Sequence, residues 1–286
     1  MDNLKAKKRH PEEIAVYSAI YVCAAFSVLL LLGIIIYVFA KGARRVNWAF
    51  LTGVTSILHG TVGIAGNILN TLIIILLTMI ITTPIGVGAA IYLNEYAKPG
   101  KLVTVIIFAT ETLAGIPSII FGLFGMLFFG QLCHMGYSLL TGSLTLTLMV
   151  LPLVTRNTQE ALKTVPDSFR TGAVGLGAGK WYTIRTILLP SAMPGIVTGV
   201  ILAIGRIIGE SAALLFTAGS AHLLPKTFDA FLEKIFHSGG TLTIQLYLSA
   251  NKGEFDVAFG IAVVLLVIVL LINFGTKRLA KKLEKH

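Results

Sequence analysis

Apolar positions in this chain run in long unbroken stretches, not in the short alternations of strands or the one-sided stripes of surface helices. Ile14 to Ala40 is the first run, Ile68 to Leu93 the second, and Leu102 to Gly130 the third, interrupted by Glu111 and carrying Pro117. Leu139 to Thr155, then Ser191 to Ala218 with Arg206 and Glu210 inside it, then Val257 to Phe274 complete the set. A helix needs roughly 20 apolar residues to cross a hydrocarbon core about 30 Å thick, so each run predicts a membrane span. The expected fold class is all-α and polytopic: six transmembrane helices in a single transmembrane domain over 1–286. The first run exceeds the roughly 7–15 apolar residues of a cleavable targeting core and predicts a retained span. The uncharged stretch from Val46 to Asn94 is long enough for two crossings, but Gly53, Thr55, Ser56, His59, Gly60, Gly63, Gly66 and Asn67 crowd its first part, which predicts an interfacial loop there.

Composition agrees with this reading, since 55% of residues are hydrophobic and 13% charged, against roughly 25% charged in a soluble domain. The formal net charge is +10, from 23 Lys and Arg against 13 Asp and Glu. An even number of spans puts both tails on one side with the second and fourth loops. That side holds 16 Lys and Arg, and the other only Lys41, Arg44, Arg45, Lys226, Lys234 and Lys252, with Arg206 left inside a span. By the positive-inside rule both termini are expected in the cytoplasm, and the basic balance is explained without nucleic acid. The cluster Lys41, Arg44 and Arg45 runs against the rule. Cys23 and Cys133 lie in apolar stretches with no ligand spacing around them.

Two segments carry candidate chemistry. The cytoplasmic loop of about 156–190 has a helix start at Pro166, Asp167 and Ser168, turn residues at Gly175, Gly177 and Gly179, and a second periodic stretch (Trp181, Ile184, Ile187, Leu188) that ends at Pro190. Two short helices with an apolar face fit a groove on a partner protein or lie flat on lipid headgroups. The other segment holds Arg206, a cation about midway through a span. Such a charge needs a partner and marks a functional site by default. Glu210, at i+4, and Glu111 of the third helix are the candidate partners, in a pair that is either structural or gating. Pro117 between Gly115 and Ser118 should free backbone groups in mid-span, and this step, with Thr82 and Thr83 before Pro84, either presents hydroxyls and backbone to a path or simply kinks its helix for packing. Gly175 to Lys180 is not a phosphate loop: three residues separate Gly175 from Gly179 where four are needed, and Trp181 follows the lysine. The six histidines are scattered. No nucleophile, metal or nucleotide site is visible, so any ATP is expected on another subunit. The outer loop of about 219–256 predicts one or two short helices around Phe228, Phe231, Leu232, Ile235 and Phe236.

From Gly177 nine residues lead to Ile187, followed by Leu188, Leu189 and Pro190. This resembles the G-x9-I-x-L-P part of the EAA-type coupling loop in permease subunits of bacterial ATP-binding-cassette importers. Thr83 to Gly86 with Ala90 to Tyr96, Gly115 to Gly122, and Arg206 to Ala212 are similar to the phosphate-specific permeases of the PstA type. The resemblance implies a type I importer permease in the bacterial inner membrane, not an enzyme, with no cofactor of its own. It implies as partners a homologous PstC-like permease, two PstB-like ATPases holding ATP and Mg, a PstS-like extracytoplasmic phosphate-binding protein, and phosphate itself. The residues it marks for ATPase coupling are Gly177, Trp181, Ile187, Leu189 and Pro190. For the substrate path it marks Arg206 and Arg156, with Glu210 and Glu111 beside them; the acidic residue that such permeases place three positions after Arg156 is here Gln159, with Glu160 next. Thr171 and Gly172 stand where the loop's glutamate and first alanine would fall, which leaves docking to shape and apolar contact by Trp181. A PstC-like chain would carry a larger outer loop than Lys41 to Asn67. An embedded enzyme using Glu111 and Glu210 would lack a nucleophile, and a lone secondary transporter should show internal repeats.

Overall fold

The computed structural model describes residues 11–56, 61–225 and 227–283. The cations Lys5, Lys7, Lys8, Arg9, Lys226 and Lys285, with His10, His59 and His286, lie outside the described residues. In chain order the helices are α1 (Pro11–Gly42), α2 (Trp48–Thr52), α3 (Ala65–Ile91), α4 (Lys101–Gly115), α5 (Ser118–Gly125), α6 (Leu139–Lys163), α7 (Asp167–Gly175), α8 (Lys180–Thr183), α9 (Leu189–Gly209), α10 (Ala212–Thr217), α11 (Phe228–Glu233), α12 (Leu242–Asn251) and α13 (Phe255–Leu283). Between α2 and α3 the expected interfacial loop contains a small antiparallel hairpin, β1 (Val54–Ser56) with β2 (Thr61–Ile64), pairing Val54 with Ile64.

The centre of the molecule is α6, packed between α3 and α9. Leu146, Val150 and Val154 are its buried contacts. Several of its buried hydroxyls bond within the helix, as hydrocarbon surroundings favour: Thr145 Oγ1 donates to the Thr141 carbonyl and Thr147 Oγ1 to that of Ser143, both at 2.8 Å. Asn67 and Asn70 stitch the start of α3 to the outer loop by donating to the Gly240 carbonyl at 2.9 and 3.0 Å. By contrast α1 touches the rest mainly along α13, with Tyr37 edge-on to Phe259 at 5.7 Å. From Val16 to Leu32 its apolar side chains are exposed, the surface of a lipid-facing helix.

Among the described residues five helical segments are long and apolar enough to span alone: Ala15–Arg45, Ala65–Tyr96, Leu139–Lys163, Lys180–Gly209 and Phe255–Arg278. A sixth is possible from α4 and α5 together, but it is not the straight rod read from Leu102 to Gly130, because the two halves bend by 102°. Pro117 lacks an N–H and keeps the preceding residue out of helical geometry, so Ile116 is extended and α4 stops at Gly115. The fifth span is also displaced. It was expected from Ser191 to Ala218, with Pro190 closing the loop helix; the chain instead stays helical from Lys180 through Pro190 and stops at Gly209. A π-helical turn at Ile184–Leu188, closed by Leu189 N–H to the Ile184 carbonyl, widens the helix just before Pro190 and absorbs its missing donor. After Gly209 the backbone is extended at Glu210, and α10 turns to pack on α5. The contact is backbone to backbone: a Cβ on Gly122 would come within 2.7 Å of Ala213 Cα.

Candidate functional site

Two cavities open side by side on the exposed flank of α4, α6 and α9. One, of about 190 Å³, is lined by Glu111 of α4, by Met149, Leu153 and Arg156 of α6, and by Arg206 of α9. The second, of about 180 Å³, shares Thr110, Glu111 and Arg156, continues along α6 to Glu160 and Lys163, and has Leu93 on its other wall. Three residues marked in the sequence, Arg206, Arg156 and Glu111, are therefore brought together, and all three are exposed. Leu93, Thr110 and Lys163 were not legible in the sequence as part of this surface, because no spacing rule links α3, α4 and α6.

Arg206 occupies the last turn of α9, level with Met149 and Leu153 at the middle of α6. It was expected halfway along its own helix; it reaches that depth because α9 ends there. The partial negative charge of the last carbonyls favours a cation at this position. Glu210 is not its partner. The i+4 relation holds only inside a helix, and Glu210 lies beyond the end of α9, where its Oε1 accepts from Ala213 N–H at 3.0 Å to cap α10. Glu210 thus sits at the junction of two helices and lines neither cavity. Among the described residues neither Arg206 nor Glu111 forms an ion pair. Arg156 does, with Glu160 one turn on at 3.2 Å, but the two side chains are 68% and 61% exposed, so the pair is weak and readily exchanged for another anion.

At the far end of α6 the chain forms a helical hairpin. Asp167 opens α7 as expected, and Gly177, at φ +79°, supplies the left-handed residue that the turn into α8 requires. Of the residues assigned to coupling, Gly177, Trp181 and Pro190 are exposed, whereas Ile187 and Leu189 are half-buried, Leu189 against the packed base of the hairpin. Trp181 is 59% exposed and Leu176, in the turn, 91%. Phe169, Val174 and Tyr182 of the same hairpin are exposed as well, so the hairpin presents several large apolar side chains that the described residues leave uncovered. Leu176 escaped the sequence reading because it falls between the glycines. Thr171, in the place of the motif's glutamate, turns its Oγ1 back to the Asp167 and Ser168 carbonyls at 3.2 and 3.3 Å.

Arg170, two positions before Gly172, was also not singled out. Its Nη2 meets Glu95 Oε1 at 3.0 Å and its Nε the same oxygen at 3.3 Å, 75 positions away in sequence. Nη1 donates to the Val165 carbonyl and to Asp167 Oδ1, and Nη2 to the Leu162 carbonyl. The hydrogen bonds that Arg170 donates to the Glu95 carboxylate raise its pKa above its already high ordinary value, with the nearby charges of Glu95 and Asp167 adding to them against the cost of burial.

Comparison with known proteins places this architecture. A family model described as binding-protein-dependent transport system inner membrane component matches residues 82–286. A probable ABC transporter permease protein, YqgI of Bacillus subtilis, is 35% identical over 273 residues, 92% of this chain and 93% of its own length. The phosphate transport system permease protein PstA of Xylella fastidiosa is 35% identical over 245 residues, 84% of this chain and 82% of its own. Among solved structures, a chain of a bacterial alginate ABC transporter in complex with an alginate-bound periplasmic protein aligns over 96% of both chains, with a TM-score of 0.70 at 14% identity. A chain of the inward-facing MetNI methionine ABC transporter gives 0.57 at 21% identity, over 77% of this chain and 94% of its own. The fold is that of a type I importer permease.

Proposed function

The chain belongs to the family of binding-protein-dependent transport system inner membrane components, and from that premise we propose that it is one of two permease subunits of an ATP-driven phosphate importer. The observation that carries the reading is the pair of arginines, Arg206 and Arg156, facing one exposed cavity flank. The PstA name of the Xylella relative supports the choice of phosphate. A second permease closes the open side of the flank, so that the two chains enclose the path between them.

Within the path the chemistry is that of brief capture. A phosphate oxyanion entering beside Arg206 exchanges part of its hydration shell for charge-assisted hydrogen bonds from the guanidinium, then from Arg156 as the bond to Glu160 gives way. Lys163 extends the cationic flank. Glu111 and Glu160 keep the net positive charge small, which a conduit needs, since a site that binds tightly does not release. Glu111 also discriminates. Phosphate near neutral pH carries a proton and donates it to a carboxylate, whereas a fully ionised oxyanion meets only repulsion.

The chain itself performs no catalysis. ATP and Mg are held by two ATPase subunits, which dock on the apolar surface around Leu176 and Trp181, and both termini lie on that cytoplasmic side. An extracytoplasmic binding protein delivers phosphate to the opposite face, formed by the 219–256 segment. The test is purification of the tagged chain from its native membrane in mild detergent. The reading expects two copies of an ATPase and one homologous permease for each copy of this chain; a chain that purifies alone and still transports without ATP overturns it.

A further inference from the structure

We infer that Arg170 and Lys180 tie the two arms of the docking hairpin to one turn at the end of α3, and through it to the wall of the substrate path. That turn, Tyr92–Tyr96, is π-helical and closes with Ala97 N–H on the Tyr92 carbonyl at 2.8 Å. Its Glu95 carboxylate is the least exposed ionised group in any ion pair described here, at 8% for the side chain. Arg170, from the first arm, holds that carboxylate through two nitrogens while a third contact, Asn94 Nδ2 at 2.7 Å, fixes its orientation. Lys180, from the second arm, sits 4.7 Å above the ring of Tyr96. Leu93, two residues before Glu95 in the same turn, lines the cavity that holds Arg156 and Glu111. Hairpin, turn and path wall are thus joined within five residues.

The geometry favours a link over a mere cap. Capping the C-terminal carbonyls of α6 accounts for the bonds to Leu162 and Val165, and a lysine would reach one of them. It does not account for a buried carboxylate on another helix, which without its guanidinium would be an uncompensated charge. Nor does it account for the second arm gripping the neighbouring residue. A π-helical turn, moreover, is a place where a helix changes its winding at low cost. When the hairpin is displaced, Arg170 and Lys180 pull on that turn, and the rotation moves Leu93 relative to Arg156. Arg170, Glu95 and Lys180 are positioning residues: none touches the substrate.

This inference rests on the proposed docking of an ATPase at the hairpin, and the experiment separates the two. The complete transporter is reconstituted with Cys23→Ser and Cys133→Ser, both native cysteines being exposed, and with Leu93→Cys as reporter. The rate of maleimide labelling is compared with and without Mg-ATP and vanadate. We expect nucleotide to change the rate at Leu93→Cys severalfold. Glu95→Gln and Arg170→Lys should remove most of that change, while the ATPase stays bound and still hydrolyses ATP. Lys180→Met, at an exposed position that folding tolerates, should give a smaller loss in the same direction. Variants that keep the full nucleotide response with the ATPase bound overturn the link, and so does an ATPase that dissociates only from the variants, because Arg170 would then belong to the docking surface. If the unaltered chain binds no ATPase, the docking reading fails first and the link with it.

Discussion

Replacing Arg206 with glutamine removes the cation at the end of α9 and leaves a shorter, neutral polar side chain. The size of the effect follows from the cavity. Enclosed between this flank and the second permease proposed above, an ion in this cavity of about 190 Å³ gives up part of its hydration shell. The ion must therefore take hydrogen bonds from the walls, and Arg206 and Arg156 are the cationic donors available there. A hydrogen bond to a charged group contributes about 1.5–3 kcal/mol. Because Arg206 is exposed and screened by solvent, the lower figure applies, and about 1.4 kcal/mol corresponds to tenfold in rate or affinity. Arg206→Gln should thus slow ATP-dependent phosphate uptake into proteoliposomes about tenfold or more, with the complex intact by size-exclusion chromatography. Arg206→Lys, which keeps the charge but loses the planar fork, should retain most of the rate at low salt and less at high salt. Uptake at the unaltered rate in Arg206→Gln would refute the reasoning, because the only effect left to the arginine would be its contact with the helix end.

Three further outcomes are expected. Trp181→Asp puts a carboxylate in the centre of the exposed apolar surface of the hairpin and should abolish co-purification of the ATPase; unchanged co-purification would mean that the hairpin lies on lipid. Glu111→Gln removes the acceptor proposed to read the proton on phosphate, and should narrow the preference for phosphate over sulfate at least severalfold in competition assays; an unaltered ratio would remove Glu111 from selectivity. The Lys234 ammonium is buried and donates to the Leu223 carbonyl, and burial lowers its pKa from the ordinary 10.5. The folded chain therefore sheds this proton before the unfolded chain does, so stability gains with rising pH between the lowered value and 10.5. The difference in melting temperature between the unaltered chain and Lys234→Met should move in favour of the unaltered chain from about pH 8 to about pH 10; a constant difference would contradict this.

What the sequence could reveal depended on whether the relevant contact was local. Long apolar runs mark spans because the bilayer imposes a length on each helix separately, and four of the six runs correspond to uninterrupted helices, while Ser191 to Ala218 is displaced and broken at Glu210 and Leu102 to Gly130 is bent at Pro117. Pro117 announced its break because proline acts on its own backbone. The break at Glu210 had no such marker, so the i+4 spacing that offered Glu210 as partner to Arg206 failed; the same spacing inside α6 does pair Arg156 with Glu160, a contact the sequence reading did not draw. Pro190 misled for the opposite reason: the π-helical turn before it removed the conflict that a proline normally creates. Arg170 and Glu95 were beyond reach, as 75 positions and three helices separate them. Gathering Arg206, Arg156 and Glu111 on one flank likewise required the packing of α4 and α9 on α6.

The central claim, an anion conduit driven from a separate polypeptide, is tested most directly by transport itself. The chain is reconstituted with its ATPase and second permease in vesicles, with its binding protein outside and Mg-ATP inside, and entry of radiolabelled phosphate is followed against excess sulfate. The account predicts phosphate accumulation that requires ATP hydrolysis and is little affected by sulfate. Accumulation without nucleotide, or ATP-driven uptake that sulfate suppresses as well as phosphate does, would contradict it.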